Sequence, residues 1–153
     1  MSAAADTSGS AAGQKAPEPT VKFHVVLGGG PLKGTFDLAS SDVCLAGIVK
    51  PGSWNARWEA EGTIKDKISA VLVGIDPKPT YGNGLTAFVT FGQDDDQVMY
   101  ELLTPVPTVA DRGRTATLTF KGKARVAFYK DGSFADGGDV TITVECSKEE
   151  RAP

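Results

Sequence analysis

Apolar and polar residues alternate most regularly near the end of the chain. In residues 139–146, DVTITVEC, Val140, Ile142, Val144 and Cys146 fall on one side and Thr141, Thr143 and Glu145 on the other. Period-two alternation in β-branched residues predicts a strand with one buried face. Residues 21–27, VKFHVVL, repeat the pattern with Val21, Phe23 and Val25 on one face, and the run GGGP at 28–31 ends it. Residues 34–38 and 42–49 predict a second and a third strand, followed by Pro51 and Gly52. Residues 67–75, KISAVLVGI, are apolar on both faces, which predicts a central strand.

The pattern continues with a long turn at 76–84, strands at 84–91 and 98–103, and the acidic run Asp94, Asp95 and Asp96 at the hairpin tip between them. Residues 104–114 hold two prolines and two arginines and read as a loop. Residues 115–120 and 123–130 read as a hairpin that turns near Lys121 and Gly122. Residues 131–138, DGSFADGG, lead into the last strand.

One stretch fits two periods. As a strand, residues 53–61, SWNARWEAE, place Trp54, Ala56, Trp58 and Ala60 on one face. As a helix, Ser53 is the N-cap, Gly62 follows the C-cap, and Trp54 and Trp58 are i,i+4 neighbours. The complete alternation and the β-rich surroundings favour the strand.

Composition sharpens this picture. A chain of 153 residues with 18 Gly and 9 Pro is about one domain, rich in turns and poor in long helices. Residues 1–20 contain six Ala, three Ser, two Gly and two Pro. Such a segment cannot bury enough area to offset chain entropy, so a flexible tether is expected there. The domain then spans 21–147, and 148–153 form a polar tail. Strands of five to nine residues at this spacing predict an all-β fold, an antiparallel β-sandwich of about 8–9 strands behind a disordered N-terminal tether.

The net charge is −3, without a basic cluster, so no nucleic-acid partner is expected. The longest apolar run, 68–75, is too short to span a bilayer. The single histidine, His24, reads as a half-exposed strand residue. No Ser, His and acid spacing stands out, and one His with two Cys builds no zinc site. Gly28, Gly29 and Gly30 lack the Gly-Lys-Ser/Thr that a phosphate loop needs and read as a turn. The chain is therefore expected to be non-enzymatic and to use no cofactor.

Two acidic groups are candidates for calcium: Asp94, Asp95 and Asp96, and the stronger set Asp131, Asp136 and Asp139. Neither has EF-hand spacing, and Asp is also an ordinary hairpin-turn residue. Charge at a strand tip also guards an edge against pairing. Trp54, Trp58 and Tyr81 are candidates for an aromatic platform for sugar or a groove for lipid. Two tryptophans on one strand face of a small sandwich are more often core.

The two cysteines, Cys44 and Cys146, each belong to a predicted strand. Pairing them would tie the last strand to the first third of the chain and favours an oxidising compartment. Two buried free thiols are the alternative. The Ala/Ser/Gly start has the composition of a mature bacterial lipoprotein, with Met1 standing in place of a lipidated cysteine. The alternative is an ordinary disordered tail on a cytosolic or virion protein.

The tether, DVCLAG around Cys44, KISAVLVGI before a Pro-containing turn, and the closing VTITVECS together resemble the small mycobacterial lipoprotein antigens. The resemblance covers residues 34–147. It implies a lipid-anchored β-sandwich with a disulfide between Cys44 and Cys146, displayed on the envelope and without a catalytic residue. SWNARWEAE and GLTAFVTFG depart from that pattern. The expected function is a non-enzymatic, extracytoplasmic surface protein acting by binding or presentation, with a protein or envelope component as partner. The alternatives are a structural or self-assembling subunit, such as a virion decoration protein, and a lipid- or sugar-binding β-sandwich.

Overall fold

A computed structural model describes residues 21–40, 44–46, 52–60, 67–79, 82–112, 115–146 and 149–151. The tether at 1–20, most of the stretch 42–49 and Tyr81 lie outside the described residues.

The described chain is all-β and almost entirely antiparallel. Its strands are β1 (Val21–Leu27), β2 (Gly34–Ser40), β3 (Cys44–Ala46), β4 (Trp54–Glu59), β5 (Ile68–Ile75), β6 (Leu85–Phe91), β7 (Val98–Leu102), β8 (Val106–Asp111), β9 (Ala116–Phe128), β10 (Ser133–Cys146) and β11 (Glu149–Arg151). A single 3-10 turn, Asp94–Asp96, sits between β6 and β7. The strands form one continuous sheet in the order β11-β3-β4-β5-β6-β7-β9-β10-β1-β2, with β8 added on β9. The fold expectation thus holds as an antiparallel all-β architecture, but with eleven strands in one curled ladder rather than two separate stacked sheets.

Alternation sets which face turns inward. Along β1, Val21, Phe23, Val25 and Leu27 are buried, and along β10 Val140, Ile142, Val144 and Cys146 are buried. The register pairs these sets directly: Phe23 lies opposite Val144, and Val25 opposite Ile142. The inner face gathers Phe91, Tyr100, Leu118 and Phe120 from the strands that follow. Burying each such side chain contributes roughly 1.5–3 kcal/mol, of the same order as the cost of ordering the residues that present it.

Two contacts hold the curl. The Trp58 indole Nε1 on β4 donates to the Ala39 carbonyl oxygen on β2 at 3.1 Å. Cys44 on β3 is disulfide-bonded to Cys146 at the end of β10, with Cα atoms 6.0 Å apart. The segment 53–61 is therefore a strand over Trp54–Glu59, because its apolar alternation meets the inner face of β5 through Ala56 and Val73.

Three local expectations are corrected. The turn near Lys121 and Gly122 does not exist: β9 runs straight through it, with Lys121 opposite Thr141 and Gly122 opposite Val140. The reversal falls instead between Phe128 and Ser133, where Gly132 takes a φ of 71°. The loop read at 104–114 contains β8. Between the pairs Leu102–Ala124 and Val106–Lys121, one strand advances four residues and the other three, so β7 and β8 form one path broken by a bulge. The Arg112 N–H donates to the Thr115 carbonyl at 2.8 Å, which fixes the ladder's phase and turns the Pro107 nitrogen away from β9. A proline is tolerated at such an outward edge position because no ladder hydrogen bond is lost there. Finally, the polar tail supplies β11, which pairs parallel with β3.

Candidate functional site

Buried apolar side chains occupy the core side of the sheet, and its recesses lie on the outer face and rims. The register aligns Leu45, Asn55, Gly74 and Thr86 in one row across β3, β4, β5 and β6. Asn55 is exposed between the buried Trp54 and Ala56, so this row faces outward. Gly74 interrupts the row. Where a side chain would stand there is a recess of about 220 Å³, floored by Gly74 and bordered by Leu45, Asn55, Ile75, Asp76 and Thr86.

The rim continues over the β5–β6 turn. A second recess, bordered by Pro79, Asn83 and Leu85, shares Asp76, Gly84 and Thr86 with the first, so the two adjoin along one rim. The turn is closed by the Asp76 N–H donating to the Gly84 carbonyl at 2.7 Å. Two side chains are oriented by their own turns. Asp76 Oδ1 accepts from the Lys78 N–H at 3.0 Å, and Asn83 Oδ1 accepts from the Leu85 N–H at 3.0 Å. Neither recess has a lysine, arginine or histidine among its described lining residues.

Of the aromatic candidates, Trp54 is 9% exposed and its residue borders the first recess. Trp58 packs against the core through its ring and holds the β2 edge through its indole N–H. Tyr81 lies outside the described residues. The structure therefore does not bring the three together as a described platform.

The acidic candidates are dispersed. Asp131 Oδ1 accepts from the Ser133 N–H at 3.0 Å and from its hydroxyl at 2.6 Å, and these bonds hold the carboxyl below its ordinary value. Asp136 Oδ1 accepts from the Gly138 N–H at 2.8 Å. Asp139 pairs with Lys123 at 2.8 Å, and this contact pushes the lysine up. Among the described residues no three His, Cys, Asp or Glu side chains are grouped to hold a metal ion. Asp94, Asp95 and Asp96 are exposed in the 3-10 turn.

His24 is half exposed, and its Nδ1 lies 2.6 Å from Asp37 Oδ1 across the β1–β2 pair. Lys22, Ala39 and Glu145 surround this pair in an open, shallow depression. Sequence reading missed the groove at Gly74, although a signal was present. A single glycine interrupts an otherwise apolar strand, and such a residue marks a bulge or a close approach.

No protein-family profile, curated protein or solved structure matches this chain.

Proposed function

We propose that this chain is a non-enzymatic, extracytoplasmic domain that works by binding or presentation at a cell surface. The observation that carries this reading is the Cys44–Cys146 disulfide, which joins two strands far apart in the sheet order. Such bonds persist in oxidising compartments and are rare where thiols are kept reduced. The similarity of residues 34–147 to the mycobacterial lipoprotein antigens supports the same compartment. It adds a tether that holds the domain off a membrane and an envelope component as partner.

Intact mass of the protein from its native source tests this, with and without reduction and alkylation. The expected result is a mass two protons low before reduction, with an acyl-sized excess where a lipid is attached. Two free thiols in the native protein would sink the reading.

A structural, self-assembling subunit is the second reading, favoured by the open edge of β8. That strand pairs only with β9 among the described residues and leaves Val106 64% exposed and Val109 39% exposed. Exposed edges are templates for pairing with another chain. Light scattering separates the two readings: a monomer supports the surface domain, a large assembly the subunit.

A further inference from the structure

We infer that the groove over Gly74 is a saccharide site that takes a neutral hexose unit and part of the next unit in a glycan. The inference rests on the surface-binding reading and names the ligand class and the residues.

The first observation is a glycine without a local reason. Glycine inside a strand costs roughly 0.5–1 kcal/mol relative to alanine, and a left-handed φ or a crowding neighbour commonly explains it. Every other glycine of the described residues has a positive φ or would place a Cβ within 3.4 Å of another atom. Gly74 has neither. Its nearest neighbours would be Asn55 Nδ2 and the Trp54 carbonyl oxygen, both at an ordinary 3.5 Å. What its missing side chain does is open the recess between Asn55 and Thr86.

The second observation is the chemistry of that recess. Asn55 and Asn83 bring amides, Thr86 a hydroxyl, and Asp76 a carboxylate. Amides and carboxylates are the groups that exchange paired hydrogen bonds with the adjacent hydroxyls of a sugar ring. Leu45, in the outward row, offers apolar surface to the ring's C–H face. The absence of Lys, Arg and His from the described lining argues against phosphate, sulfate or nucleic acid, which cationic side chains bind. The recess of about 220 Å³ lies below the roughly 300–1,000 Å³ of drug-sized cavities, which suits a single ring. The adjoining recess, which shares Asp76, Gly84 and Thr86, leaves room for a second unit. An acyl chain would need an enclosed apolar slot, and this groove is open and partly polar.

The test uses the full, disulfide-bonded chain, labelled with ¹⁵N and titrated with neutral di- and trisaccharides built from glucose, mannose or galactose. The expected result is saturable amide shifts at Asn55, Gly74 and Thr86 with at least one of these probes. Gly74→Val should weaken that binding at least tenfold in a folded protein. Should Gly74→Val not fold, Asn55→Ala and Thr86→Val provide the same readout. Three outcomes overturn the site: no probe moves these amides, the shifts map elsewhere, or the folded variants bind as the parent does. None of these touches the compartment. Free thiols in the native protein would sink the surface reading and leave the titration standing.

Discussion

The hydroxyl of Tyr100 donates to the carbonyl oxygen of Gly29 at 2.9 Å from a side chain that is fully buried. The Tyr100 hydroxyl oxygen in turn accepts from the Leu32 N–H at 3.0 Å, so one phenol on β7 pins both ends of the β1–β2 turn. Gly30 makes this possible: its φ is 77°, and a Cβ there would lie 2.5 Å from the Tyr100 oxygen. Tyr100→Phe leaves the ring in place and strands a carbonyl and an N–H. The expected loss is about 1–3 kcal/mol, read from the denaturant midpoint at unchanged slope. Burial also raises the Tyr100 pKa above its ordinary 10.0. The folded state therefore keeps a proton that the unfolded chain releases, and stability falls as pH rises above about 10. Tyr100→Phe should flatten that alkaline loss.

The bridge between Cys44 and Cys146 closes a loop of 102 residues. The chain-entropy treatment assigns such a loop roughly 4–5 kcal/mol, and measured values commonly fall below it. Cys44→Ala and Cys146→Ala should each destabilise by about 2–4 kcal/mol. The double variant should cost little more than either single one, because the second change has no bond left to break. Additive losses would argue against the bond. Hydrogen exchange should speed first in β3, which otherwise holds only to β4 and the short β11.

Val144 and Thr143 are chain neighbours on opposite faces. Val144 is fully buried opposite Phe23, whereas Thr143 lies opposite His24 on the outer face. Val144→Asp should abolish folding at neutral pH, since a charge would enter the core unpaired. Thr143→Asp should stay within about 1 kcal/mol of the parent. Thermal melts of the two variants check the register of β10: equal losses would show that the facing has been misassigned.

Glycines at two positions should respond with opposite signs. Gly138 has a φ of 70°, and a Cβ there would sit 2.9 Å from the Gly29 nitrogen. Gly138→Ala should therefore cost about 1–3 kcal/mol. Gly74 has an ordinary φ and room for a methyl group, so Gly74→Ala should be neutral or stabilising by up to about 1 kcal/mol. Paired urea titrations decide the matter.

Alternation was enough to read β1, β6 and residues 139–146 of β10, and a run apolar on both faces was enough to read β5, whereas residues 133–138 of β10 read only as a lead-in. It misled at Lys121 and Gly122, where a turn-like pair sits inside β9. There the missing Cβ serves a neighbour: a side chain at Gly122 would meet the Pro105 Cα at 3.3 Å, where the β7–β8 path bulges. Nothing local announces that contact. The strand at Val106–Asp111 was hidden by two prolines, since edge placement is a property of the assembled sheet. The cysteines were legible as a candidate pair through their positions in strands. Of the groove, only the strand glycine Gly74 was legible, because Asn55, Gly74 and Thr86 are neighbours only after three strands take their register.

The disulfide also determines how the domain answers force. Val21 lies opposite Cys146, and Cys146 is bonded to Cys44, so the covalent ring encloses the strands from β3 to β10. A pull applied at residues 21 and 151 can straighten only the segments outside that ring, about 28 residues or roughly 100 Å at 3.3–3.6 Å each. The reduced chain, free from 21 to 151, can pay out over 400 Å at the same reach per residue. Oxidised, the domain is a link of short reach; reduced, it is a long compliant one. For a protein held at one end and loaded at the other, a single bond sets the distance over which the load is carried.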